Sequence, residues 1–215
     1  ERGLAAADLV TLARIGDAAI APDGSQAVYT QRDTDLVADR GRTDLWLVAS
    51  DGRSPPRRLT TSPDNDDSPA WAPDGQGLYF LSARSGDKQV WYLPLAGGEA
   101  WQVTRLPLEV GSFRVSPRGE RLALSLEVFP DCADLDCTRK RLDEQKASPR
   151  HGRRHDQLFV RHWDEWKDGR VSQLFALALD ARHAAAGAPV PLSATVDANV
   201  PSKPSGGRAD FVFSP

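Results

Sequence analysis

Ala70-Trp71-Ala72-Pro73-Asp74-Gly75-Gln76-Gly77-Leu78-Tyr79-Phe80-Leu81 sets a Pro-Asp-Gly turn between two apolar runs, and the fold is decided here. Proline pre-sets φ for the second position of a tight turn, and glycine suits the last. The same punctuation stands at Ala21-Pro22-Asp23-Gly24 and Ser116-Pro117-Arg118-Gly119, and starts again at Ser214-Pro215. Ala18 and Ile20 enter the first turn and Ala27-Val28-Tyr29 leave it. Phe113 and Val115 enter the third, and Leu122-Ala123-Leu124 leave it. The pattern predicts three hairpins.

A third apolar run follows each hairpin: Asp44-Leu45-Trp46-Leu47-Val48, Gln89-Val90-Trp91-Tyr92-Leu93 and Gln173-Leu174-Phe175-Ala176-Leu177. Turns at Asp51-Gly52 and Gly97-Gly98 lead to a short fourth run: Arg58-Leu59-Thr60, Gln102-Val103-Thr104 and Pro191-Leu192-Ser193. Thr60 to Pro73 and Thr104 to Pro117 are both 13 residues, and the turn prolines recur after 51 and 44. That period belongs to four-stranded propeller blades. A β-sandwich could reuse Pro-Asp-Gly turns, but has no reason to repeat a four-strand cadence in register. The prediction is all-β: a partial β-propeller of four-stranded antiparallel blades, with a partly helical insertion in the third. Blades are expected at about 16–61, 66–105 and 110–194, with the insertion at 129–170 and the next blade starting at 208–215. Residues 4–12 read as a weak helical or extended lead-in. Three blades cannot close a ring, so more chain, or association of copies as a homo-oligomer, is expected to complete it.

With 40% hydrophobic and 27% charged residues, the composition is that of an ordinary folded protein. A net charge of −3 gives no field that would favour nucleic acid or an anionic membrane. No apolar run approaches the roughly 20 residues of a membrane span. The chain contains no methionine and opens at Glu1, which fits a processed or excised segment.

The insertion differs in composition from the blades. Residues 138–147 (TRKRLDEQKA) favour a helix that Ser148-Pro149 would end. A strand is expected at Leu158-Phe159-Val160, followed by Arg161-His162-Trp163-Asp164-Glu165-Trp166 and a turn at Lys167-Asp168-Gly169. Long insertions on a repeat scaffold are where function concentrates.

Phe159-Val160-Arg161-His162-Trp163-Asp164-Glu165-Trp166 with Asp168-Gly169-Arg170 resembles secreted bacterial dipeptidyl-peptidases of the prolyl oligopeptidase family. The Pro-Asp-Gly blades, the Cys132 and Cys137 pair and the short helix before Arg161 match that group too. The blade turns alone are shared with other propellers, including those similar to the TolB translocation protein. The resemblance implies a propeller set over a C-terminal α/β-hydrolase domain carrying a Ser-Asp-His triad. It implies short peptides as substrates, the chain's own hydrolase domain as partner, export to the periplasm or beyond, and no cofactor. A TolB-like protein-interaction propeller without activity is the alternative.

No G-x-S-x-G elbow, H-E-x-x-H, P-loop or dinucleotide fingerprint occurs, so no catalytic residue is assigned to this stretch. Cys132 and Cys137 with His151 and His155 approach a two-Cys, two-His zinc spacing. The intervening residues lack the aromatic that packs a finger, which favours a disulfide closing a short loop, with two free thiols as the remaining option. No metal is therefore assigned. Trp163 and Trp166 are candidates for packing or for substrate contact. Asp164 and Glu165 are either solvated charges or carboxylates that hold a substrate's free α-ammonium through a charge-assisted hydrogen bond. Arg161 then orients that carboxylate or binds a peptide carbonyl, the alternative being a structural ion pair. Arg139, Lys140 and Arg141 read as a solvated helix face.

Overall fold

Short apolar runs joined by tight turns pair edge to edge, and three such sets make up most of the molecule. The computed structural model describes residues 3–149, 152, 161–162, 165–196, 198–203 and 206–214. After helix α1 (Ala6–Thr11), the first sheet comprises β1 (Arg14–Ile20), β2 (Gln26–Asp35), β3 (Arg40–Ala49) and β4 (Arg57–Arg58). The second comprises β5 (Asp66–Trp71), β6 (Gly77–Ser82), β7 (Gln89–Pro94) and β8 (Trp101–Gln102). In the third, β9 (Ser112–Val115) and β10 (Arg121–Val128) are separated from β13 (Val171–Leu179) and β14 (Ala185–Pro191) by the insertion. The insertion holds helix α2 (Leu135–Ala147) and a small hairpin of β11 (Arg161–His162) and β12 (Glu165–Trp166).

The three turns close alike. Gly24, Gly75 and Gly119 donate their N–H to the carbonyls of Ala21, Ala72 and Ser116, each at 2.9 Å. Their φ values of 73°, 71° and 72° lie where a side chain would clash, so glycine is demanded.

Packing is sheet on sheet in succession. Val28, Leu45 and Leu47 of the first sheet meet Leu78, Phe80 and Leu93 of the second. The opposite face of the second sheet, with Tyr79, Leu81, Val90 and Tyr92, meets Phe113, Leu122, Leu124, Phe175 and Leu177 of the third. All six residues of β6 are buried. Burying each of its large apolar side chains, Leu78, Phe80 and Leu81, stabilises the fold by about 1.5–3 kcal/mol. A middle sheet covered on both faces is the arrangement of propeller blades, whereas a sandwich would bury one face of each of two sheets.

A buried polar clasp repeats where each blade ends. Leu59, Val103 and Leu192 donate their N–H to the carbonyls of Leu45, Val90 and Leu174 at 2.7–2.8 Å. The next residue in each case, Thr60, Thr104 or Ser193, returns a hydroxyl that accepts the N–H of Leu45, Val90 or Leu174 at 2.9–3.0 Å. Beside each hydroxyl stands a buried polar residue of the third strand: Asp44, Gln89 and Gln173.

Some local expectations need correction. The third blade's fourth strand begins at Ala185, six residues before the predicted Pro191. Its Ala-rich, exposed sequence carries no strand pattern, so pairing with β13 imposes the conformation. Helix α2 starts at Leu135 rather than 138, because the Asp134 side chain accepts the N–H of Cys137 and caps it. Phe211-Val212-Phe213 joins no strand ladder among the described residues, although Phe211 is buried and Arg114 holds the Arg208 carbonyl nearby. The strand expected at 158–160 lies outside the described residues.

Since successive strands alternate in direction, the β2–β3, β6–β7 and β10–β13 connections and the links between blades share one face, opposite the Pro-Asp-Gly turns. Hydrogen bonds agree: Arg40 reaches the carbonyl of Pro63 in the first link, and Arg139 of α2 reaches that of Pro107 in the second. No helix of the described residues is long and apolar enough to cross a membrane.

Candidate functional site

The insertion rises from this loop face, and its base is built to be rigid. Phe129, at the end of β10, is buried beneath the guanidinium of Arg141, which lies 4.5 Å from the ring centroid. The Phe129 N–H donates to the fully buried Thr138 hydroxyl at 3.3 Å. Cys132 and Cys137 are joined by a disulfide with Cα atoms 5.5 Å apart, one turn from the Asp134 cap. Arg141 makes a two-pronged contact with Asp131, 2.8 Å on each oxygen, which holds that carboxyl below its usual range. Arg139 pairs with Asp87 in the β6–β7 connection and so ties α2 to the second blade. Of the residues read as a solvated helix face, Arg139 and Arg141 are thus engaged in bracing the insertion.

Where the insertion returns to the blade, it is pinned again. Asp168 accepts both the N–H and the Nε–H of Arg170, at 3.0 and 2.8 Å. Arg170 also lies 3.4 Å from Glu127, whose second oxygen is 2.5 Å from Lys203.

Between these anchors lies the hairpin of candidate residues. Arg161 pairs across the ladder with Trp166, and His162 with Glu165. The Arg161 guanidinium sits 5.4 Å from the Trp166 ring centroid, and both side chains face solvent. An aromatic plate restrains the cation while leaving its planar donors free for a carbonyl or carboxylate. Glu165 is in register with His162 rather than with Arg161. Trp163 and Asp164 lie outside the described residues, as do His151 and His155. Among the described residues no group of three His, Cys, Asp or Glu could hold a metal.

The fourth histidine has a different task, unseen in the sequence. His183, on the β13–β14 turn, stacks on Tyr92 with centroids 4.2 Å apart and planes 8° from parallel. Its Nδ1 lies 2.8 Å from the Tyr79 hydroxyl, and its Nε2 lies 3.9 Å from Asp74. Burial drives the Tyr79 phenol well above its usual range and pushes Tyr92 up to about 12. Both phenols stay protonated at neutral pH, and the hydrogen bond between the Tyr79 hydroxyl and His183 Nδ1 latches the third blade to the second.

No family profile matches the chain. Dipeptidyl-peptidase 5 of Porphyromonas endodontalis is 31% identical over 159 residues, which is 74% of this chain and 22% of that protein. The Porphyromonas gingivalis protein of the same name is 29% identical over 206 residues, 96% of this chain and 29% of its own length. Among solved structures, the β-propeller domain of the Trilobed protease from Pyrococcus furiosus matches with a TM-score of 0.50. That match has 11% identity and covers 84% of this chain and 43% of the other. Fold and relatives together define a partial β-propeller of the type carried by peptidases. By its relatives the chain is similar to the propeller portion of dipeptidyl-peptidase 5, a peptidase of the prolyl oligopeptidase family. It spans less than a third of the length of those two relatives.

Proposed function

We propose that the chain is the non-catalytic, substrate-gating propeller portion of a serine exopeptidase that removes short units, dipeptides above all, from peptide N-termini. The observation that carries this reading is the match to a dipeptidyl-peptidase across 96% of the chain, insertion included. A TolB-like interaction module would need the blades but not the braced insertion. Hydrolysis would follow the acyl-enzyme route on an α/β-hydrolase domain outside this stretch. The disulfide on the insertion supports export to an oxidising compartment.

In this proposal the insertion hairpin receives the substrate's N-terminal side. Arg161, restrained on Trp166, offers donors to a peptide carbonyl, a carboxylate of Asp164 or Glu165 takes the free α-ammonium, and Trp163 is a further candidate for substrate contact. Loss of such a charge-assisted contact costs roughly 1.5–3 kcal/mol, or about 10- to 150-fold in kcat/KM. Glu165→Gln, Asp164→Asn and Arg161→Lys in the full-length parent are tested on chromogenic dipeptides with free and N-acylated termini. At least one acidic variant should lose activity on the free-amine substrate alone, and Arg161→Lys should lose it on both. If all three stay within about twofold, the range of ordinary surface changes, the hairpin is not the ammonium site. A parent sequence lacking a downstream G-x-S-x-G elbow would overturn the peptidase reading itself.

A further inference from the structure

The β2–β3 hairpin stands taller than its counterpart in the second blade. Its ladder runs ten pairs, from Gln26↔Ala49 to Asp35↔Arg40, whereas β6 and β7 pair over six. Four extra pairs, at about 3.4 Å each, lift its tip roughly 13 Å further along the strand direction. At the tip Val37 is 100% exposed and Leu36 62%. Polar residues usually occupy such turns, and nothing in folding explains two apolar side chains there.

The tip is held in shape without a partner. Asp35 Oδ1 accepts the N–H groups of Val37 and Ala38, each at 3.0 Å, and Arg42 lies 3.6 Å from the same carboxylate. Arg40, in the last ladder pair, holds the Pro63 carbonyl, and Thr43, three pairs below, donates its N–H to Asn65 at 3.0 Å, so the upper stalk is tied to the inter-blade link. Two apolar side chains are thus presented on a pre-organised stalk, which lowers the ordering cost of docking. The stalk projects from the face that carries the braced insertion.

We propose that Leu36 and Val37 form a peg that docks into an apolar socket on the hydrolase domain of the same protein; this rests on the functional reading above. In the two dipeptidyl-peptidase relatives, about 70–80% of the length lies outside the matched stretch, enough for a domain that covers this face. Asp35 and Asp39 flank the apolar pair. Arg40 and Arg42 balance these two charges, so the tip offers an anionic lipid surface no net positive charge to attract it, and its apolar pair fits an apolar protein socket.

The test uses thiol labelling of the native full-length parent. Val37→Cys is compared with Ser54→Cys, an exposed position on the β3–β4 turn of the opposite face, each above the unmodified background. Docking predicts labelling of Val37→Cys at least about tenfold slower than the control, as for a site reached only by local opening. Adding Leu36→Asp should restore the rate to within about twofold of the control. Equal rates in the native protein, or slow labelling that Leu36→Asp leaves unchanged, would refute an apolar socket. Slow labelling that becomes fast on dilution would assign the peg to a second copy and likewise refute it. Absence of a hydrolase domain from the parent sequence sinks the functional reading, and with it the peg, independently of any labelling rate.

Discussion

In the second blade, Gln89 closes the clasp by using both ends of its amide. Its oxygen accepts from the Thr104 hydroxyl at 2.8 Å and from the Leu106 N–H at 3.1 Å. Its nitrogen donates to the carbonyls of Leu106 and Leu108, which ties down the link to the third blade. In the first blade Asp44 stands at the same place, 1% exposed. It meets the Thr60 hydroxyl at 3.3 Å and needs the Arg58 guanidinium to satisfy its charge. A carboxylate only accepts, so it cannot hold link carbonyls, and the first link is tied instead through Arg40 and Asn65. Burial raises the carboxyl of Asp44 above its usual range, against the pull of Arg58 and with some help from the nearby charge of Asp66. One backbone geometry is thus served by a neutral, saturated network in one blade and by a charged one in the next. The difference teaches that the repeat conserves hydrogen-bond positions rather than residue types.

The comparison can be broken most sharply at Thr104. Thr104→Val keeps the shape but strands the Val90 N–H and one contact of Gln89 in a dry site. A loss of about 2–3 kcal/mol in the opening free energy of the Val90 amide is expected, measured by native-state hydrogen exchange on the full-length protein. Thr60→Val should cost the Leu45 amide less, about 1–2 kcal/mol, because Arg58 still satisfies Asp44. Equal losses at the two sites would mean that the neutral network adds nothing over the charged one.

A smaller effect separates the blades by pH. The folded-state pKa of Asp44 lies above the value near 3.9 of an unfolded chain, so the folded form binds its proton more tightly. Its contribution is fully present below about pH 3.9 and is lost as pH rises through the raised value. The opening free energy of Leu45, corrected for intrinsic exchange, should therefore fall between pH 4 and 7 relative to that of Val90. Asp44→Asn should flatten that trend, and a trend that persists in Asp44→Asn would assign it to another group. The smallest change is expected at Arg141→Ala, which removes a solvent-facing pair with Asp131 and should leave the amide protection of α2 nearly unchanged. A larger loss there would show that stacking on Phe129, not the ion pair, holds the insertion base.

Much of the blade architecture was legible because it depends on local chemistry. Pro73 and Gly75 impose a turn whatever surrounds them, and alternation around Leu78 and Tyr79 imposes strands. The 13-residue step from Thr60 to Pro73 was visible too, although its meaning was not: Thr60 is the hydroxyl that ends a blade. The strand at 185–191 was illegible because Ala-Ala-Gly-Ala carries no pattern and only β13 makes it extended. Of the candidate hairpin, the sequence singled out Arg161 but not its restraint on Trp166, which requires the register of β11 against β12.

The sequence by itself determined where the chain turns, which runs become strands, and how often the unit repeats, since turn geometry and strand alternation act over a few residues. It also held both cysteines five positions apart, within reach of one another. Only the tertiary structure decided that His183 latches onto Tyr79 across 104 residues, that Arg139 braces the insertion on Asp87, and that Leu36 and Val37 stand on the insertion's face. Those outcomes depend on sheets stacking face to face. Stacking brings together residues whose separation along the chain carries no information about their distance in space.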